Sequence, residues 1–302
     1  MTTAARSTYS KVPSLACVVV RGADAEDFLR RQLTQEPPAD ETRFVRAAWS
    51  DAKGRVHAIF EVVRRADGLL LVAERDGLES VLAKLRLYVL RSRIELSVDE
   101  SLAVAAIAGE TAADLESAGI DIGAEPGDAR RTGSVLALRV GPSLVRLVGP
   151  VTALDEIGSK LEPASPEGID LAEIRLGLPR VHALPERYVP QMLNLDRLDA
   201  VSFTKGCYPG QEVITRLHHR GEVKRRVCRY VGRITAEPPA PDTPLLDERG
   251  ETIGEVLRAA RAADGRIELL AVVRLDAADG PVLVGAVDGP RVERAPLPGE
   301  PS

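Results

Sequence analysis

Residues 201–226, VSFTKGCYPGQEVITRLHHRGEVKRR, concentrate the side chains of this chain that can do chemistry. A thiol, Cys207, stands between Gly206 and Gly210, a pattern that points to a tight, exposed loop. From Gln211 onward, Glu212, Val213, Ile214 and Arg216 tolerate a short helix, so Cys207 precedes a helix N-terminus and lies close to Lys205. Both features favour the thiolate, the nucleophilic and metal-binding form of cysteine. The same residues also fit a plain turn in which Cys207 is a small buried hydrophobe.

Behind the loop runs a cationic stretch, Arg216, Arg220, Lys224, Arg225, Arg226 and Arg229, opposed only by Glu222 and containing His218 and His219. It reads either as a solvated face or as a site for an anionic, carboxylate-bearing ligand that arginine grips in bidentate fashion. Nucleic acid is not expected as a partner, because the net charge is −5 and no aromatic residue interleaves with these cations. The histidines lack a third ligand at metal spacing, so no metal is expected. The other two cysteines belong to cores: Cys17 lies in the all-apolar run LACVVV, and Cys228 shares a strand face with Tyr230 and Ile234. Three cysteines without a CxxC pair argue against a disulfide framework.

The elements that must position this loop read as an α+β protein. A length of 302 residues suggests two or three packed units. No run approaches the roughly 20 apolar residues that span a bilayer. The start, MTTAARSTYSKVPS, lacks an apolar signal core, so a cytoplasmic protein without a membrane partner is expected. Residues 15–20 predict a strand and Asp24 an N-cap for a helix running to about Glu36, where Pro37 and Pro38 stop it. Residues 43–49 and 54–63 predict a hairpin turning near residues 51–54, followed by a strand at 69–73 and a helix at 78–89. A similar order recurs at 103–162, with strands at AVAAIA, VLALRV and LVRLV and helices at 111–119 and 151–161. From about residue 225, short strands at 227–234, 251–258, 266–274 and 281–286, without helices, predict a small β-barrel or sandwich. The expected units are 1–100, 101–222 and 223–296, with 297–302 a disordered tail.

Residues Lys205, Gly206, Cys207, Tyr208, Pro209, Gly210, Gln211 and Glu212 match the K-G-C-[FY]-x-G-Q-E pattern of the YgfZ family, which includes mitochondrial iron–sulfur assembly factors. The chain resembles that family on both sides of the loop. Upstream it carries Gly177–Leu178–Pro179, Pro190–Gln191 and Asn194–Leu195–Asp196; downstream, Arg220–Gly221 and Lys224–Arg225–Arg226. In the N-terminal half, Lys53–Gly54–Arg55 and Tyr88–Val89–Leu90–Arg91–Ser92 are also similar. The family is related to the folate-binding T-protein of glycine cleavage. The resemblance therefore implies a T-protein-like fold, with two α+β units on antiparallel sheets around a folate cavity and a C-terminal β-barrel.

It implies further a folate-binding accessory factor for assembly or repair of iron–sulfur proteins. Tetrahydrofolate or a related folate would be the ligand, and iron–sulfur clients or cluster carriers the partners. Cys207 would be the functional thiol, and Arg175, Gln191, Asn194, Arg216, Arg220, Lys224 and Arg226 candidate folate contacts, with Lys205 tuning the thiol or holding the folate tail. The alternatives are a folate-dependent aminomethyl or one-carbon transferase and a folate-independent thiol redox factor. Two departures from T-protein bear on the first. Residues 54–59, Gly-Arg-Val-His-Ala-Ile, lack the carboxylate that serves aminomethyl transfer, and Arg175 stands where a T-protein has glutamate in its R-x-E-A-G run. Losing an acid that steers a proton costs about 10²–10⁴-fold in rate, so aminomethyl transfer is not expected.

Overall fold

The computed structural model describes residues 7–109, 112–180 and 187–300. A short strand, β1 (Thr8–Lys11), leads into β2 (Leu15–Arg21), α1 (Ala25–Gln32), β3 (Phe44–Ser50), β4 (Val56–Arg65), β5 (Gly68–Glu74), α2 (Leu78–Arg86) and β6 (Glu95–Val98). β2 to β6 form an antiparallel sheet in the order β3-β4-β5-β2-β6. There follow β7 (Leu102–Ala108), α3 (Ala112–Ala118), β8 (Ala129–Thr132), β9 (Val135–Gly141), β10 (Leu144–Pro150), α4 (Val151–Gly158) and β11 (Glu162–Pro163). β1 leaves its neighbours in sequence and pairs with β7, completing a second sheet ordered β11-β1-β7-β10-β9-β8. The expected first unit thus lends its first strand to the second sheet. With four residues and no apolar run, TYSK gave no strand signal.

Alternation explains the layering. One face of β2, with Leu15, Cys17 and Val19, meets Val104, Ala106, Leu138 and Leu144 of the second sheet in a shared core. The opposite faces carry the helices: Phe28, Leu29, Leu82 and Leu85 pack under the first sheet, and Leu115 and Leu154 under the second. The helix α5 (Pro166–Arg175) then leads towards a 3-10 turn at Pro190–Leu193, the loop of residues 201–210 and α6 (Gln211–Arg220). α5 is N-capped by Ser165, whose hydroxyl accepts from Gly168 N–H. The chain ends in a closed barrel of β12 (Arg225–Gly232), β13 (Pro244–Leu246), β14 (Thr252–Arg261), β15 (Ile267–Arg274), β16 (Val282–Val284) and β17 (Arg291–Ala295). Cys228 and Tyr230 point into it, and Cys17 is equally buried, as their apolar neighbours required.

Two local expectations are corrected. Asp24 does not cap α1 through its side chain; its carboxylate instead accepts from the Arg93 backbone and guanidinium. Residues 297–300 are packed rather than loose: Leu297 is buried against the α5 segment, and Glu300 pairs with Arg197. Residues 301 and 302 lie outside the described part. Among the described residues no helix is long and apolar enough to cross a membrane.

The loop and the first sheet meet glycine to glycine. Gly210 has φ +79, and a Cβ there would fall 2.5 Å from both Gly54 Cα and Asp51 O, in the β3–β4 turn. At Gly206 a Cβ would meet nothing within 4 Å. Gly210→Ala should therefore destabilise the protein by about 2–4 kcal/mol, combining left-handed strain with a backbone clash, and Gly206→Ala by less than about 1 kcal/mol. Urea unfolding of the two variants checks this; equal effects would contradict the close contact.

Candidate functional site

The loop is built from its two ends inwards. Lys205 is buried, and its ammonium donates to the carbonyls of Arg30, Leu33 and Gln35 at 2.7, 2.8 and 3.1 Å. It closes the C-terminal end of α1, where carbonyls lack partners within the helix and a cation is favoured. Burial lowers its pKa to about 8, against the pull of Glu36. Lys205 is thus committed to α1, and the expected tuning of Cys207 by this ammonium is not what the geometry provides. Gln211 closes the other end, its side-chain amide donating to Lys205 O at 3.3 Å. Between these anchors Tyr208 turns inward, with the Lys205 ammonium 5.4 Å from its ring centroid. Cys207 is left exposed. Glu212, in the first turn of α6, is exposed too.

Cys207 faces an open groove of about 1160 Å³. Arg31 and Gln32 of α1, the segment of residues 88–92, and Tyr208 share its lining. Gln32 Oε1 and the Tyr208 hydroxyl are buried there, and neither has a hydrogen-bond partner among the described residues. Burial raises the Tyr208 pKa to about 12, so the hydroxyl stays protonated and can donate. Leu87, Tyr88 and Leu90 stand exposed at the same edge. A row of rings leads inward from the groove: Tyr88 meets Trp49 edge-on at 6.1 Å, and Trp49 lies 4.7 Å from His57.

His57 lines a second site, an interior cavity of about 60 Å³ with Ile59, Glu61, Arg146, Glu173 and Arg180. Its floor is ionic. Arg146 grips Glu61 through Nε and Nη2 at 2.7 and 3.2 Å and reaches Glu173 at 3.0 Å. Glu173 also accepts from Arg180 at 2.7 Å and from Arg258 of the barrel at 2.6 Å. Burial opposes its charge, but Arg180, Arg146 and Arg258 outweigh that and hold the carboxyl well below the usual glutamate range. Glu61 and Glu173 likewise raise the Arg146 pKa against burial. Arg46 has only a 3.5 Å contact with Glu61, and there burial wins and lowers its pKa. Arg146 Nη1 keeps no partner among the described residues. Beyond Arg180 a cavity of about 480 Å³ opens under Pro238, Pro239 and Pro241.

None of the seven candidate folate contacts lines the 60 Å³ cavity. Gln191, Asn194 and Arg226 form a scaffold: Arg226 pairs with both Asp196 oxygens at 2.9 Å and donates to Gln191 O and Asn194 Oδ1. Gln191 donates to Ile214 O, and Asn194 to Val227 O, tying α6 and β12 to the 3-10 turn. Arg175 pairs with Glu268 on the barrel side. Arg216, Arg220 and Lys224 are exposed around the end of α6. The motif drew attention to these polar residues, but polar groups near a site serve packing as readily as binding. The cavity residues left a fainter signal. Arg146 interrupts LVRLV on the face it shares with Leu144 and Val148, where a lone charge has to be buried. Glu173, two positions before Arg175, supplies the cavity carboxylate, since two helical residues are about 200° apart.

No protein-family model matches the chain. A "tRNA-modifying protein YgfZ" from Sodalis glossinidius is 29% identical over 289 residues, covering 91% of this chain and 88% of that protein. The proteins of that name from Vibrio vulnificus and Shigella dysenteriae are 29% and 26% identical over 84% and 96% of this chain. The glycine cleavage system aminomethyltransferase T of Bartonella henselae superposes with a TM-score of 0.75 over 96% of this chain, at 16% identity. The chain is YgfZ-like and T-protein-folded. In this YgfZ-like chain the stretch of residues 54–59 contributes a histidine, not a carboxylate, to the cavity. Among the described residues no group of three or more His, Cys, Asp and Glu is placed to hold a metal ion.

Removing the Glu173 charge takes the shared buried partner from Arg146, Arg180 and Arg258, which keep Glu61, Glu74 and Asp170 respectively. Glu173→Gln should cost about 3–5 kcal/mol at pH 7, as breaking a buried pair does. Because the folded carboxyl titrates below its unfolded value of about 4.5, its contribution is full above that value and disappears as pH falls through the folded one. Melts from pH 7 to pH 3 should therefore show the gap between wild type and variant narrowing once pH falls below about 4.5; a gap independent of pH would contradict the assignment.

Proposed function

We propose that this chain is a folate-binding accessory factor in tRNA modification that supports the assembly or repair of iron–sulfur proteins through Cys207. The observation that carries the reading is an exposed thiol on a loop pinned at both ends, facing a groove with unpartnered buried polar groups. A group that only filled space would be turned inward, as Cys17 and Cys228 are. The name borne by the curated relatives supports tRNA modification, and the KGCYPGQE resemblance supports the iron–sulfur role.

Cys207 supplies one thiolate, whereas clusters are usually held by four. The cluster, as cargo, therefore takes its remaining ligands from a carrier or client docked on the groove. Exposed Leu87 and Leu90 at its edge pack on that partner.

Folate falls to the interior cavity. The Glu61 carboxylate suits the N–H edge of a pterin, and Arg146 Nη1 is a donor in want of an acceptor. A folate-sized ligand needs roughly 300 Å³ or more, so about 60 Å³ admits it only after side chains open towards the space beyond Arg180. The missing carboxylate at residues 54–59 sets aminomethyl transfer apart from this reading.

In cells lacking the protein, Cys207→Ser should fail to restore the activity of an iron–sulfur enzyme while melting within about 2 °C of wild type, since the side chain is exposed. Full restoration by the serine variant would end the proposal.

A further inference from the structure

Arg46, Arg146 and Arg180 line the interior cavity, and they are held very unequally. Arg180 donates to Glu74, Glu173 and Ser14 at 3.1, 2.7 and 2.8 Å. Arg146 is fixed by its bonds to Glu61 and Glu173, and its side chain is 4% exposed. Arg46 has a single hydrogen-bond or ion-pair contact among the described residues, Nη2 to Glu61 Oε1 at 3.5 Å, at the outer limit of a hydrogen bond. Glu61 already takes two shorter bonds from Arg146, so Arg46 adds little to holding that carboxylate.

Strand pairing aims this loosely held cation at the cavity. Arg46 of β3 and Glu61 of β4 are register partners, as are Ala48 and Ile59, and both Ile59 and Glu61 line the cavity with Arg46. Residues two apart on a strand share a face. A donor, Arg46, thus stands beside an acceptor, Glu61, on one wall. The Arg46 side chain is 12% exposed, and burial lowers its pKa because the contact with Glu61 does not offset desolvation. A buried donor left without an acceptor is costly. Arg46 is therefore both the side chain freest to give way as a cavity of about 60 Å³ enlarges and the donor that meets what enters.

The pair has a chemical complement. A 2-amino-4-oxo pterin carries the N3–H donor next to the C4 carbonyl acceptor on one edge. The N–H meets Glu61, and the carbonyl meets Arg46. A 2,4-diamino pteridine has the same outline with that edge reversed: N3 carries no hydrogen, and an amino group whose hydrogens face the guanidinium stands in place of the carbonyl. We propose that Arg46 is the residue by which this cavity selects 4-oxo over 4-amino pterins. The proposal rests on the folate reading above and names which folates the site takes.

The test is isothermal titration calorimetry of the full chain with tetrahydrofolate and with tetrahydroaminopterin, which differ in carrying a 4-oxo or a 4-amino group. Wild type should prefer tetrahydrofolate at least about 100-fold, since a site built around a hydrogen bond rejects an analogue that cannot make it. Arg46→Gln presents a donor and an acceptor from one amide and can pair with either group, so it should cut that ratio at least about tenfold. Arg46→Lys keeps a cation that only donates and should retain the preference. Both variants should melt within about 3 °C of wild type, because Glu61 keeps Arg146. A role confined to the ionic network would change stability and leave the ratio of the two affinities unmoved. Equal affinities in wild type, or an undiminished ratio in Arg46→Gln, would overturn the proposal and leave folate binding standing. No binding of tetrahydrofolate by wild type would instead end the folate reading and this proposal with it.

Discussion

The carboxylate of Glu173 is the meeting point of the molecule. It leaves α5, is fully enclosed, and holds Arg146 of the second sheet, Arg180 and Arg258 of the barrel. Arg146 carries the connection on to Glu61 of the first sheet. The two sheets and the barrel are therefore joined by one chain of charge-assisted hydrogen bonds around the cavity. Such a network is a poor source of net stability, because desolvating each ion costs several kcal/mol. Its effect lies in geometry: a half-satisfied version is severely unfavourable, so the parts can meet in one arrangement only. Apolar packing between the sheets supplies the stability, and the ions supply the registration. The central cavity and its walls follow from that registration.

The loop carrying Cys207 depends on the same division of labour. Gly210 and Gly54 let two backbones touch, and Lys205 spends its charge on the end of α1. Gln191, Asn194 and Arg226 hold α6 and β12 behind it. Lys205, Gln211, Gln191, Asn194 and Arg226 are thus used to fix the backbone, while the thiol itself faces outward. One exposed thiol on a loop held by buried supports is the arrangement that the proposed role of Cys207 requires.

How much of this the sequence disclosed varies with the physics. Apolar alternation at 56–62 and 227–234 identified strands, because a half-buried strand must alternate. The barrel followed from evenly spaced short strands without helices, and the T-protein architecture from the loop motif. Strand β1 escaped notice because TYSK has too little apolar character, and its partners are about 100 residues away. The docking of Leu297 depends on a surface built by α5 and could not be read locally. Site residues divided similarly. The exposure of Cys207 was legible from its glycine-flanked loop, whereas the scaffold bonds of Arg226 and Asn194 were not, because a polar scaffold and a polar site look alike in sequence. Glu61, Arg146 and Glu173 were overlooked, since only the packing of the two sheets shows that their charges face one another.

The cavity at the centre of the ionic network is the most direct point of attack on the account. A thermal melt with tetrahydrofolate at about 100 times its dissociation constant should add about 2.7 kcal/mol to the folded state, a rise of about 4 °C for a chain of this size. That shift should shrink when Arg146 is replaced by Met. An unchanged melting temperature at saturating tetrahydrofolate would contradict a folate-binding centre and leave the exposed thiol as the functional element.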